Sequence, residues 1–500
     1  MARLEFINQK NGIMIKFIKN NNLLVVVGCL TLLFSSCKEN LFESTPYGEA
    51  TSAEFWRNGD DAIAAANAMY APLIEEPVYG HSENVFDNCS DDLYRAGDHG
   101  YEEAMENFTL DASNNGVGQG WKGKYEVIAR ANAVLINVPD IEDIDGTLKN
   151  RILGEAHFLR AFAYWRFSVI YGGVPLILEQ NTIEGDFNVP KSTQAEVWAQ
   201  IESDLIAAVG LLPASHSGGD IGRAHQGSAN ALLAKLYLYQ QDFDKTITTG
   251  DKVISGPYPL SDNFRDNFTF TTENNPEVLF AVQSGGSWEA GIATHFFYTP
   301  PRPWGGWDFH NPTQDVVDEF EPGDVRKEYT FWSPGDMVDR GDKGVTEFTA
   351  DLTATGYSLN KYANFNSAGN LEFGMNIPIL RTADVLLLVA EAKIRKSGAG
   401  AGDTEINEVR ARAGLDPISN ADMPELIHER RMELLGENQR HQDLMRWDRA
   451  GLVDIVQIYG EDRGQFDPPR VFDRSKHFFF PIPQREIDLS NGVLIQNDKF

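Results

Sequence analysis

The sequence predicts a mostly α-helical protein in which successive helices are interrupted by an irregular, loop-rich region with short strands. Amphipathic helical patterns follow one another through the first half of the chain. Residues 284–375 interrupt them with many Gly, Pro and aromatic residues, and helical patterns return from about residue 381. Successive helices of this kind resemble tetratricopeptide repeats, although the sequence shows no regular period of about 34 residues.

Local signals place the first predicted helices. A capping box formed by Thr51 and Glu54 predicts the start of the first helix. Residues 76–120 contain many turn-forming Gly, Pro and Asn residues, so we predict loops there. Apolar side chains on one face of residues 121–138 then predict a second helix.

The third predicted helix covers residues 148–170 and is apolar around most of its circumference, so it should be buried among other helices. Two glycines that follow it end the helix. A second capping box, Thr193 with Glu196, opens a helix that ends at Leu211. The other predicted elements are helices over 227–240, 242–255, 381–396, 403–413, 424–437 and 443–450, and a strand over 278–283.

The first 36 residues have the organisation of an export signal. Lysines precede an apolar run from Leu23 to Phe34, which is shorter than the roughly 20 residues that span a bilayer. The run ends in Ser35-Ser36-Cys37, which resembles a bacterial lipobox, so we expect cleavage before Cys37 and lipid on its thiol. An ordinary secretory signal followed by an incidental cysteine is the alternative.

Charge and cysteine content restrict the partners. A net charge of −30 argues against nucleic acid and anionic lipid head groups as partners, so membrane attachment would depend on the lipid anchor. After cleavage Cys89 would be the single unmodified thiol, which allows neither an internal disulfide nor a multi-cysteine metal site. We therefore expect no cofactor and no metal site.

Three groups of segments carry a family resemblance. They are Glu155–Phe167 with Tyr171–Leu176, then Ile379–Lys393 with Ile406–Leu415, and then Ile427–Leu434 with Asp443–Trp447 and Phe480–Pro483. Together they resemble the SusD/RagB family of outer-membrane glycan-binding lipoproteins over almost the whole mature chain, and the resemblance implies a tetratricopeptide-like helical platform with an irregular region on it. After a signal peptide over 1–36, we expect one SusD-like domain over 37–500, with an N-terminal part over 37–215 and a C-terminal part over 275–500.

The resemblance implies a cell-surface protein of the outer membrane that binds an oligosaccharide or polysaccharide and delivers it to a SusC-like TonB-dependent transporter. Capture of peptides, a purely structural lid on the transporter and a glycoside hydrolase are the alternatives. The sequence lacks His-Glu-x-x-His, Gly-x-Ser-x-Gly and a phosphate-binding glycine loop, so we expect no enzyme. Charged residues within the apolar helices are predicted to form buried ion pairs: Arg160, Arg166, Arg381, Glu391, Glu429, Arg430, Arg431 and Glu433.

Two loop segments, residues 84–100 and 284–310, carry the candidate ligand-binding residues, chosen because flat aromatic faces stack on sugar rings and polar side chains bond hydroxyls. The three indoles follow no helical period, which favours a binding platform, while packing inside an irregular loop is the alternative for each. The candidates are Trp288, Trp304 and Trp307 for stacking and Asn88, Asp91 and Arg302 for hydrogen bonds, with Trp332, Tyr357 and Tyr362 ranked lower.

Overall fold

The structure is a computed structural model that describes residues 55–75, 87–97, 100–179, 188–284, 299–372 and 374–500. The predicted capping box at Thr51 and the predicted lipidation site Cys37 lie outside these residues. All the elements described below belong to one packed unit, Asn58–Phe500. No helix among the described residues combines the length and the apolar character that crossing a membrane requires.

Helices dominate the described part of the chain, as the sequence predicted. They are α1 (Gly59–Tyr70), α2 (Gly100–Glu106), α3 (Asn115–Asn137), α4 (Gly146–Ile170), α5 (Gln194–Leu211), α6 (Gln226–Tyr239), α7 (Phe243–Ile254), α8 (Gln314–Asp318), α9 (Arg326–Thr330), α10 (Thr382–Ser397), α11 (Asp403–Arg412), α12 (Met423–Leu434), α13 (Arg440–Arg449), α14 (Ile455–Gly460) and α15 (Gln484–Leu489).

The long helices pack in succession and form the platform. Helix α3 packs on α4, α4 on α5, α5 on α6, and α6 on α7, while α10 packs on α7, α11 and α12. Seventeen of the 25 residues of α4 are buried, which confirms the predicted position of this helix among the others. Apolar side chains such as Leu387, Ile406 and Leu426 fill the space between α10, α11 and α12. The predicted helical platform is therefore confirmed.

Side-chain caps fix the helix starts. Thr193 and Glu196 form the predicted capping box at the start of α5, with the backbone N–H of Glu196 donating to Thr193 Oγ1 over 3.2 Å. Asn58 caps α1 by accepting from the backbone N–H groups of Asp60 and Asp61. These bonds satisfy N–H groups that have no partner inside the helix.

The prediction of loops throughout residues 76–120 is wrong in part, because the structure contains α2, a short strand and the first turns of α3 there. Helix α3 begins at residue 115 because Asn114 caps it, accepting from the backbone N–H of Gly116 over 3.0 Å. The first turns of α3 contain several glycines, which are weak helix formers, so the sequence carried no clear signal for this helix start. Gly116 packs closely on α2, since a Cβ atom there would lie 3.2 Å from side-chain atoms of Tyr101 and Met105.

Eight short strands pair into four two-stranded antiparallel ribbons within the described residues. The pairs are β1 with β3, β2 with β8, β4 with β7 and β5 with β6. The predicted strand at 278–283 is confirmed as β2, which is buried along its whole length. The strands are β1 (Leu93–Arg95), β2 (Val278–Val282), β3 (His310–Pro312), β4 (Phe331–Trp332), β5 (Met337–Asp339), β6 (Val345–Glu347), β7 (Ser358–Leu359) and β8 (Ile377–Arg381).

A buried ionic cluster centred on Glu433 of α12 joins the platform to the loop-rich region. Its carboxylate pairs with Arg381 over 2.9 Å and with Arg412 over 2.6 Å, and Arg326 lies 3.3 Å away. Burial acts to raise the pKa of Glu433, but these arginines outweigh it and hold the pKa far below its usual range. Arg381 also pairs with Glu277 over 2.7 Å.

The other predicted core charges form a second set of buried pairs. Arg430 pairs with Asp384 over 3.0 Å and with Asp443 over 2.9 Å. Arg160 donates to Asp204, and Arg166 is buried within α4. The predicted ion pairs are thus confirmed for Arg160, Arg381, Glu391, Glu429, Arg430, Arg431 and Glu433.

We predict that Glu433→Gln destabilises the protein by about 3–5 kcal/mol, since the buried arginines around residue 433 lose the carboxylate that balances their charge. Urea unfolding followed by circular dichroism would measure this loss. Lys396→Ala is the control, because the Lys396–Asp244 pair is solvent-exposed and should contribute little. Equal unfolding midpoints for the two variants would contradict the structural importance of the Glu433 cluster.

Candidate functional site

The β1–β3 ribbon brings the two loop segments singled out in the sequence into contact. Tyr94 of β1 pairs with Asn311 of β3, and Arg95 pairs with His310. The backbone N–H of Ala96 continues the contact by donating to the carbonyl of Phe309 over 3.2 Å. Residues 93–97 and 299–312 therefore form one continuous part of the loop-rich region.

Buried ion pairs anchor the residues that lead into β1. Asp91 accepts two hydrogen bonds from Arg440, both over 2.8 Å, and Asp92 pairs with Arg431 over 2.7 Å. Burial favours a raised pKa for Asp91, but the guanidinium groups of Arg440 and Arg431 outweigh it and hold the pKa well below its usual range. Strand β1 is thus tied to α12 and α13.

The backbone ahead of these aspartates is held by Arg470. Its guanidinium donates to the carbonyl of Ser90 over 2.6 Å and to the carbonyls of Asn88 and Cys89 over 3.4 and 3.3 Å. Cys89 is fully buried, and burial raises the pKa of its thiol far above the usual range, which fits a packing role.

The placement of Asn88 and Asp91 corrects the sequence-based choice of ligand-binding residues. Asn88 is 1% exposed and Asp91 is 3% exposed, so neither reaches a ligand at the surface. Asp91 uses both carboxylate oxygens on Arg440, a partner 349 residues away that the sequence did not reveal. Asp91 therefore supports the strand from the interior, and Asn88 is buried beside it in the chain.

Trp304 is also an interior residue, which agrees with the packing alternative. Its indole is 4% exposed and lies 5.1 Å from the ring of Trp332 and 5.7 Å from that of Phe348. The Arg340 guanidinium covers it at 4.8 Å. Trp332 and Tyr362, the lower-ranked candidates, are buried as well, so none of these three rings offers a free face.

Trp307 and Arg302 remain at the surface of the same loop. Arg302 is exposed and donates through Nε to the carbonyl of Trp307 over 3.3 Å, while the indole of Trp307 is half-buried. Asp308 follows with φ of 60°, and its carboxylate accepts from the side-chain amide of Asn311 over 2.7 Å. This bond joins the loop to β3 and fixes the backbone that carries the indole.

Tyr94 and Phe466 add two partly exposed rings beside the ribbon, 5.1 Å apart and tilted by 60°. The sequence indicated Tyr94 only as part of the segment 84–100 and gave no signal for Phe466, because residues 461–470 carry no motif. We call Tyr94, Trp307 and Phe466, together with Arg302, the aromatic surface, while the buried Asp308 supports its backbone from below. Its rings can stack on flat apolar faces, and its guanidinium group can bond hydroxyls.

Trp288, the third indole of the predicted binding site, lies outside the described residues, so its role in ligand binding stays a prediction. Within the described ranges, no group of three or more His, Cys, Asp or Glu side chains has the arrangement of a metal site.

A helical platform that carries an irregular region with a surface of aromatic and polar side chains defines a class of helical-repeat binding proteins. Two family models match the chain. One is described as the SusD family and covers residues 276–500, and the other is described as starch-binding associating with outer membrane and covers residues 58–238. The chain belongs to the SusD/RagB family, which confirms the resemblance found in the sequence.

Individual relatives agree with this assignment. A SusD-like protein of Bacteroides ovatus is 27% identical over 460 residues, covering 85% of this chain and 82% of the relative. A solved SusD-like protein from Bacteroides fragilis is 25% identical with a TM-score of 0.77, over 89% of this chain and 98% of that one. A solved laminarin-binding SusD-like protein is 27% identical with a TM-score of 0.74, over 89% of this chain and all of that one (100%).

We predict that Asp308→Asn stabilises the protein increasingly as the pH rises from about 4 to 7. Burial raises the pKa of Asp308 to about 6, against the opposing effects of Asn311 and Arg302. The unfolded carboxyl group loses its proton near pH 4, so wild-type stability falls as pH rises between these values, by on the order of 1–2 kcal/mol.

Thermal melts of the wild type and the variant at several pH values would measure this trend. Asp351→Asn, at an exposed position, controls for the removal of one negative charge. A stability difference between Asp308→Asn and the wild type that stays constant across this pH range would show that Asp308 is not held in a desolvated environment.

Proposed function

We propose that this protein captures an oligosaccharide or polysaccharide at the outer-membrane surface and delivers it to a SusC-like TonB-dependent transporter. The observation that carries the binding step is the aromatic surface, where Tyr94, Trp307 and Phe466 keep partly exposed rings and the exposed Arg302 bonds the carbonyl of Trp307. Pyranose rings present flat C–H faces to aromatic rings and hydroxyl groups to charged side chains, so the surface has both kinds of group that a saccharide needs.

The comparisons support a carbohydrate as the ligand class. A structural neighbour of 27% identity is described as laminarin-binding, and one of the two matching family models is described as starch-binding. These two glucans differ in linkage, and a shallow aromatic surface on loops suits ligands of different shape. Glucose-based glycans are therefore the first ligands to test.

Membrane attachment would come from a lipid anchor. The family model over residues 58–238 is described as associating with the outer membrane. In this chain the attachment would come from lipid on Cys37, in the sequence Ser35-Ser36-Cys37. We further propose that the protein faces the cell exterior, where it meets polymers too large to enter the cell unaided.

The structure gives the hydrolase alternative no support at the adjacent carboxylates Asp91 and Asp92. Glycoside hydrolysis needs two carboxyl groups that face a sugar across a cleft. Asp91 and Asp92 are buried and their oxygens are engaged by Arg440 and Arg431. We therefore propose binding without catalysis.

We predict that Trp307→Ala weakens binding of the preferred oligosaccharide by about 5- to 150-fold. This range corresponds to the loss of one stacked ring, which contributes on the order of 1–3 kcal/mol by analogy with nucleic-acid bases stacked on aromatic side chains. Calorimetric titration with laminari- and malto-oligosaccharides would measure this loss. Tyr329→Ala, a partly exposed ring on α9, is the matched control and should bind as the wild type does.

Trp304→Ala separates binding from packing. Because Trp304 is enclosed by Trp332 and Phe348, this variant should lose several kcal/mol of stability, about 3–5 for an aromatic residue removed from a core. Unchanged affinity in Trp307→Ala, with its melting temperature also unchanged, would rule out the aromatic surface as the glycan site.

We predict that Cys37→Ala abolishes membrane anchoring, because each buried lipid CH₂ adds about 0.8 kcal/mol of membrane affinity and the variant would carry none. Fractionation of cells fed a labelled fatty acid would show wild-type protein labelled in membranes and variant protein without label. Ser35→Ala, which keeps a small residue before the cysteine, is the control and should stay labelled. Fatty-acid label on Cys37→Ala would contradict the assignment.

We predict that gentle detergent extraction of native outer membranes recovers this protein together with a TonB-dependent barrel. Affinity capture followed by mass spectrometry would identify the barrel. Recovery of the protein alone under conditions that keep other lipoprotein–barrel complexes intact would remove the basis for delivery to a transporter, while leaving the glycan-binding step open to its own test.

A further inference from the structure

A groove on the helical platform contains two adjoining cavities built from other elements than the aromatic surface. The first has a volume of about 350 Å³ and lies among α5, the end of α6 and α13. The second has a volume of about 620 Å³ and lies between the start of α5 and residues 474–498. Gln194 and Arg449 line both, so the two cavities adjoin, and we call them together the groove.

The first cavity is lined by amide and aromatic side chains. Gln240, Gln241 and Gln442 contribute amides, and Trp198 and Tyr239 contribute rings. Amides that donate and accept, placed beside flat rings, are suited to hydroxyl groups and to the apolar face of a sugar.

Two polar atoms of this cavity have no partner in the part of the chain that the structure describes. They are the amide nitrogen of Gln442, a residue only 5% exposed, and the hydroxyl of Tyr239. A buried donor without an acceptor costs free energy, and native proteins satisfy nearly all such groups. Two unsatisfied groups on neighbouring walls of one cavity therefore point to a ligand that bonds them.

The second cavity is cationic. Lys191, Arg449 and Lys476 line it, and Asp498 is the one carboxylate among the described residues that line it. This concentration of positive charge occurs in a chain whose net charge is −30. Arg474 also lines the cavity, but Asp448 and Asp454 already engage it over 2.7 and 2.6 Å.

Arg449 is held in place without an acidic partner. Its guanidinium stacks on Phe478 at 4.4 Å and on Phe479 at 4.6 Å, and it donates to the carbonyl of Phe478 over 3.4 Å. No carboxylate of the described residues forms a salt bridge with it. Arg449 is exposed, so its guanidinium can reach an anion that enters the groove.

We propose that this groove is a second saccharide site, which takes an oligosaccharide bearing a carboxylate or sulfate group. The neutral rings lie against Trp198 and the amide-lined cavity, where Gln442 and Tyr239 donate to hydroxyl oxygens. The acidic group lies beside Arg449, with Lys191 and Lys476 adding positive charge. The site goes beyond the proposed function, because it uses none of the residues of the aromatic surface and selects acidic glycans over neutral ones.

Calorimetry of the purified full chain with tetragalacturonate and with sulfated laminaritetraose tests the groove. We expect Arg449→Gln to weaken binding of both roughly 10-fold or more, the effect of losing a charged hydrogen bond, and raised salt to weaken it further. Arg485→Gln, at an exposed position on α15, is the matched control and should bind normally. Titrations repeated in the Trp307→Ala background, where the aromatic surface is weakened, separate binding in the groove from binding on the aromatic surface.

Two further variants distinguish a loss of binding from a loss of folding. Gln442→Met and Tyr239→Phe each remove an unsatisfied donor while keeping the shape of the side chain. They should melt at the same or a higher temperature than the wild type, and they should bind the acidic oligosaccharides about 3- to 10-fold more weakly.

Three outcomes would overturn the proposal. The first is equal affinity of Trp307→Ala for acidic oligosaccharides and for neutral laminaritetraose, and the second is unaltered binding of the acidic oligosaccharides in Arg449→Gln. The third is that a poly-glutamate peptide binds while the acidic oligosaccharides do not, which would make the groove a protein-docking surface. Loss of neutral-glycan binding in Trp307→Ala bears on the proposed function only, so the two can fail independently.

Discussion

The arrangement of the whole molecule depends on buried ion pairs made by α12 and α13. The carboxylate of Glu433 forms ion pairs with Arg381 of β8, Arg412 of α11 and Arg326 of α9. Each of these charges is enclosed, and a buried charge is tolerated only with partners in good geometry. The elements that carry them must therefore meet at one place, which fixes where the loop-rich region joins the helical platform.

The same two helices reach the proposed glycan site. Arg431 of α12 and Arg440 of α13 hold Asp92 and Asp91, the two residues directly before β1. Through its pairing with β3, β1 fixes the C-terminal end of the loop that carries Trp307. A shallow site made of loops gains affinity when its residues are positioned before the ligand arrives, because less conformational freedom is lost on binding. The interior charges thus contribute to binding through position and not through contact.

The sequence predicted the platform well and the site only in part, for physical reasons. Capping boxes and apolar faces are local signals, so helices such as α4 and α5 were placed within a few residues. A loop has no period that separates buried from exposed positions, and Trp304 and Trp307 differ in burial although three residues apart. Asp91 was misjudged because its partner Arg440 is distant in the chain, and Phe466 was missed because it carries no motif.

A crystal structure of the protein with the neutral oligosaccharide that binds best among laminari- and malto-oligosaccharides would test the central claim most directly. We expect a sugar ring stacked on Trp307, near Tyr94 and Arg302, with Asp91 and Asp92 still paired to Arg440 and Arg431 beneath it. A sugar bound elsewhere with the aromatic surface empty, or bound by an Asp91 released from Arg440, would contradict the claim.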